Sequence, residues 1–106
     1  MSDILKTLRL NELYDFYKEL LTDKQKLYFE DYYFNDLSLQ EIADKYEISR
    51  NAVHLSIKDA ESDLEKYETK LGLLDKFHKR LELYKELETI DDSKVKTIIK
   101  ELMEIE

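Results

Sequence analysis

A chain of 106 residues with no proline and a single glycine, Gly72, lacks nearly all the residues from which β-hairpins and tight turns are built. Segments must instead be ended by polar side chains that bond to the local backbone, which is how helices are capped. No cysteine is present, so no disulfide staples the chain. The expected fold is all-α, with five to six helices in a single domain over residues 1–106, a size at which one core suffices.

The apolar periodicity locates the helices. Ile4, Leu5, Leu8, Leu13, Phe16, Tyr17, Leu20 and Leu21 form a stripe that predicts an amphipathic helix ending near Leu21. Thr22 followed by Gln25 is a capping box and opens a second helix to about Tyr33, with Asn35 and Asp36 supplying the next turn. Ser38 followed by Glu41 is another capping box and opens a short helix through about Tyr46. After a break at Glu47 and Ile48, Ser49 caps a long helix. Its apolar residues Val53, Ile57, Ala60, Leu64, Tyr67, Leu71 and Leu74 alternate steps of four and three, a heptad seam. Gly72 marks a possible break, and a helical extension follows at about 70–106. Asp91, Asp92 and Ser93 place acids and a cap before a last helix carrying Val95, Ile98, Ile99 and Leu102.

Leu39 to Lys58 has the spacing of a helix-turn-helix. Two short helices that cross closely need a small residue at the contact, and Ala43 supplies it. Ile42, Tyr46 and Ile48 fill the space under the turn, while Val53 and Ile57 anchor the second helix to the same core. That helix then presents Ser49, Arg50, Asn51, His54, Leu55 and Lys58 outward, its N-terminus aimed at a phosphate or a groove.

The segments Leu20 to Gln25, Tyr32 and Tyr33, Leu37 to Ala43, Ile48 to Val53, Ile57 and Lys58, and Tyr67 to Leu74 together resemble the YlxM family of helix-turn-helix proteins, whose motif is similar to region four of bacterial sigma factors. The resemblance covers roughly residues 10 to 80. It implies a bacterial protein tied to the signal recognition particle pathway, with DNA or RNA or the particle's own GTPase as partner, and it attaches no reaction. Carried over position by position, the sigma-like contact residues are Arg50, Asn51, His54 and Lys58. Two departures stand out. The turn position that commonly holds glycine is Glu47, and Lys58 is followed by Asp59, Glu61 and Asp63 instead of further bases.

Charge constrains the partner. With 25 acids against 17 bases the formal charge is −8, and the acid excess runs through every segment instead of forming a tail. Arg50, Lys58 and Lys24 or Lys26 amount to about three phosphate contacts, below the six to ten of strong salt-dependent binders, so tight binding calls for a homodimer. The seam from Val53 to Leu74 either supplies that dimer interface or packs against Ile4 to Leu21 and Val95 to Leu102 within the chain. A rival reading takes the scaffold as a protein-interaction module whose acidic and aromatic surface meets a basic partner.

Tyr28, Phe29, Tyr32, Tyr33 and Phe34 are expected to be half core and half interface, with base stacking as the alternative. His54 and His78 lie far apart in the sequence and have no cysteine to share a zinc site with. Carboxylate pairs such as Glu61 with Glu65 and Glu82 with Glu86 are expected on solvated faces. No nucleophile elbow, phosphate loop or HExxH pattern occurs, so no catalytic residue, metal or cofactor is assigned. An acidic start, Met1-Ser2-Asp3, and the lack of a long apolar run suggest a cytoplasmic protein with no membrane partner.

Overall fold

The computed structural model describes residues 2–106 and is all-α. In chain order the helices are α1 (Ser2–Tyr17), α2 (Asp23–Tyr33), α3 (Leu39–Tyr46), α4 (Arg50–Leu71), α5 (Leu73–Glu88) and α6 (Ser93–Ile105), with a 3-10 turn at Lys18–Leu20. The caps sit where the sequence places them. Thr22 and Gln25 bond reciprocally across the start of α2, and Ser38 and Glu41 do so across the start of α3. The Ser49 hydroxyl accepts from the Ala52 amide at 3.0 Å, and Asp92 accepts from the amides of Lys94 and Val95. Each cap satisfies amides that the first helical turn leaves without a partner.

The chain divides into two compact units, residues 1–72 and 73–106. In the first, α4 is the central element, packing against α1, α2 and α3. Val53, Ile57, Ala60 and Leu64 line its buried face, together with Leu13, Tyr17, Phe29 and Ile42 from the other helices. The upper half of the heptad seam is therefore consumed inside the chain, as interior packing. Its lower end departs from the expectation, because α4 stops at Leu71, which is exposed. Gly72 takes the left-handed conformation (φ 63°, ψ 25°), returning its amide to the Glu68 carbonyl, and Leu74 belongs to α5. In the second unit, α5 and α6 pack as a hairpin, tied by the Arg80 and Tyr84 side chains to the Glu106 carboxylate.

The stripe on α1 is only half realised. Leu10, Leu13, Tyr14 and Tyr17 are buried, whereas Ile4, Leu5 and Leu8 stand exposed. The expected stripe steps by five from Leu8 to Leu13, a phase slip of about 140° at 100° per residue, so the two groups lie on nearly opposite sides of the helix.

The carboxylates of α4 also depart from the expected solvated face. Glu65 takes a bidentate contact from Arg9 (2.7 and 2.9 Å), Glu68 accepts from the Tyr17 hydroxyl (2.6 Å), and Asp63 accepts from Gln25 (3.0 Å). Glu61 is buried. Glu61, Asp63, Glu65 and Glu68 thus tie α1 and α2 to α4, whereas Asp59 is exposed.

Candidate nucleic-acid interface

The helix-turn-helix is built as its spacing demands. Ile42 and Ala43 of α3 are buried against Val53 and Ile57 of α4, with Leu39, Tyr46 and Ile48 packed around them. The absence of bulk at Ala43 lets the two helices close on each other. Tyr28 of α2 completes this cluster, a member that short-range spacing does not reveal. The turn keeps the glycine-type geometry without glycine: Glu47 adopts φ 56° and ψ 47°, and its amide bonds back to the Ala43 carbonyl. A non-glycine residue in this region carries a conformational cost of roughly 1–2 kcal/mol. Asp36, in the preceding turn, is the other such residue among those described (φ 54°).

A buried carboxylate locks α2 to α3. Asp31 is 4% exposed and accepts from the Tyr46 hydroxyl at 2.6 Å, the Asn35 amide at 2.9 Å and the Lys45 ammonium at 3.2 Å. Burial alone would raise its pKa, but the hydrogen bonds from Tyr46, Asn35 and Lys45 prevail and hold the carboxyl below the usual range. Nothing in the local periodicity signals this group, because its partners lie up to 15 residues away.

With the turn fixed, α4 displays the predicted face. Ser49, Arg50, Asn51, His54 and Lys58 are all exposed, and so is Leu55. At 100° per residue, Asn51, His54, Leu55 and Lys58 fall within about one 100° arc, with Arg50 about 40° beyond it on the first turn. Arg50 and Lys58 are separated by about 12 Å along the axis, close to the width of a DNA major groove. The charges on this face are not equally available. Arg50 makes no ion pair among the described residues, whereas Lys58 lies 3.8 Å from Glu61. Lys26 is drawn into pairs with Asp23 (3.8 Å) and Glu19 (4.0 Å).

Beside this face opens a cleft of about 380 Å³, reached by His54 and Lys58 from α4, Lys6 from α1 and Tyr32 from α2. Its floor includes Glu61, which Lys6 approaches to 3.2 Å. Of the five clustered aromatics, Tyr28 and Phe29 are buried, Phe29 stacking on Tyr14 at 4.6 Å, while Tyr32 and Phe34 are exposed. Burial and then the Glu61 charge push the Tyr33 hydroxyl pKa well up, so it stays protonated.

A family model for YlxM/p13-like helix-turn-helix proteins, UPF0122, matches residues 4–105. The chain belongs to this family. Among its relatives, the UPF0122 protein lwe1821 of Listeria welshimeri is 48% identical over 95% of this chain and 97% of its own length. UPF0122 protein GWCH70_1086 of a Geobacillus strain is 49% identical over the same shares. UPF0122 protein ABC2295 of Shouchella clausii is 56% identical over 77% of this chain and 75% of its own. Family membership extends the resemblance from about residue 80 through α6. Among the described residues, no helix is long and apolar enough to cross a membrane.

Proposed function

We propose that this UPF0122 member is a nucleic-acid-binding regulator that inserts α4 into a groove of DNA or RNA, with Ser49, Arg50, Asn51, His54 and Lys58 at the interface. What supports the reading is one observation: the Ser49 cap launches a helix whose Arg50 and Asn51 face water while Val53 and Ile57 are sunk in the core. Reading heads of this class need that division of faces, an anchored inner side and a polar outer side. The reading includes a homodimer, since one face offers few phosphate contacts and a second copy doubles them. The dimer contact lies outside Val53, Ile57, Ala60 and Leu64, which the chain itself covers.

The test is a salt-titrated shift assay on duplex DNA and on an RNA hairpin. Arg50→Ala with Lys58→Ala is expected to abolish binding and to leave the thermal melt unchanged, because both side chains are exposed. Unaltered binding by the double variant removes this face from the interface. A second reading, a protein-interaction module for a basic partner such as the signal recognition particle GTPase, draws on the charge of −8 and on the pairing of Lys58 with Glu61. Recovery of that GTPase from nuclease-treated lysate, with no nucleic acid retained, is the outcome that favours it.

A further inference from the structure

We infer that Lys6 of α1 and Lys58 of α4 form a clamp for a backbone phosphate, organised from beneath by Glu61. The inference rests on the nucleic-acid reading above and extends its interface beyond the helix-turn-helix to the first helix of the chain.

Lys6 and Lys58 contact the same Glu61 oxygen, at 3.2 and 3.8 Å, so their ammonium nitrogens lie within about 7 Å of each other. One phosphate group, accepting at about 2.8 Å on each side through two of its oxygens, bridges such a gap. Glu61 is buried, but both lysine side chains are about half exposed, at 55% and 51%. The carboxylate therefore holds the pair from the protein side and leaves the solvent side open. Lys6 uses one of its three N–H donors on Glu61, and Lys58, at 3.8 Å, is in charge contact alone, so donors remain for a ligand. Without Glu61, two like charges at this separation on flexible stems would splay apart. The hydrogen bond and charge of Glu61 also raise the Lys6 pKa, which keeps it protonated.

The position of the clamp fits its ligand. His54 and Lys58 line the same cleft, so a phosphate seated there lies at the edge of the reading face and about 12 Å along the helix axis from Arg50. Arg50 and the clamp would then meet the two backbones that border one groove. Glu61 itself and Asp3, which also lines the cleft, are carboxylates that oppose an anion and limit the gain to that of a single contact.

Lys6→Ala, Lys58→Ala and, as a control twelve residues farther along α4, Lys70→Ala are compared in the full chain by salt-titrated binding to short random-sequence duplex DNA. Each clamp variant is expected to flatten the slope of log affinity against log salt by about one. Across about 50 to 200 mM salt, that is a loss of roughly 3.5-fold in the salt dependence for each contact. Lys70→Ala should leave the slope unchanged, and Lys6→Arg should restore it. A thermal melt of Lys6→Ala establishes that the protein under test is folded; if it is not, Lys6→Gln, which keeps the stem and removes the charge, carries the test with the same expected flattening. A flattened slope for Lys58→Ala with an unchanged slope for Lys6→Ala overturns the clamp and leaves the α4 interface standing. Absence of salt-dependent binding by the wild-type protein overturns the α4 interface itself, and the clamp with it.

Discussion

Replacing Asp31 with alanine removes a carboxylate that ties α2 to α3, and its cost follows from what it leaves behind. The Tyr46 hydroxyl, 2.6 Å from Asp31, loses a charged acceptor, a bond of the kind that contributes about 1.5–3 kcal/mol. Asn35 loses a partner at 2.9 Å near the surface, where water recovers part of the loss, so about 1 kcal/mol is apt. Lys45 is half exposed and screened, and adds little. The sum is about 2–4 kcal/mol, which for a unit of this size lowers Tm by roughly 8 °C or more. Thermal unfolding followed by circular dichroism reads it, alongside Tyr46→Phe and the double variant. Because Asp31 and Tyr46 share one bond, the two losses should add to less than their sum. The pH dependence has a definite sign. The Asp31 carboxyl is held below its ordinary value in the folded state, so its contribution is complete above the unfolded value near 3.9 and disappears as pH falls through the lower folded value. Asp31→Ala should lack that acid-side loss. A Tm change under about 3 °C, or strict additivity with Tyr46→Phe, would refute the account.

The other turn positions make smaller demands. Glu47→Gly relieves the left-handed backbone at a cost in unfolded-state entropy, and its net effect is stabilisation by up to about 1 kcal/mol in urea unfolding; a lower urea midpoint would show that the turn is not strained. Ser49→Ala deletes the cap of α4 and should cost about 1 kcal/mol by the same measurement, whereas an unchanged midpoint would mean that water replaces the hydroxyl fully.

Local signals carried most of the fold. Capping boxes at Thr22 and Ser38, the cap at Ser49 and the small residue at Ala43 act within a few positions of their partners, so their spacing is written in the sequence and reappears in the structure. Periodicity served less well where its phase slipped. The two apolar groups on α1 read as one stripe, yet only the one containing Leu13 and Tyr17 is covered. Long-range polar pairings were invisible. Asp31 with Tyr46, Arg9 with Glu65 and Lys6 with Glu61 join elements brought together only by packing, so no spacing rule connects them. In the sequence, Asp59, Glu61 and Asp63 stand after Lys58 in place of further bases. In the structure Glu61, Asp63 and Glu65 bond to neighbouring helices and Asp59 is exposed, while Arg50 has no ion pair among the described residues.

Gly72 sits in the mirror-image half of backbone space, yet a methyl group added there would meet nothing within 4 Å. Its smallness is not what the site requires; its lack of handedness is. The apolar register from Leu71 to Leu74 is the three-residue step that an uninterrupted helix would carry. An L-residue here would carry about 1–2 kcal/mol to hold the conformation that Glu47 holds at the end of α3, so glycine is what makes the break between α4 and α5 cheap.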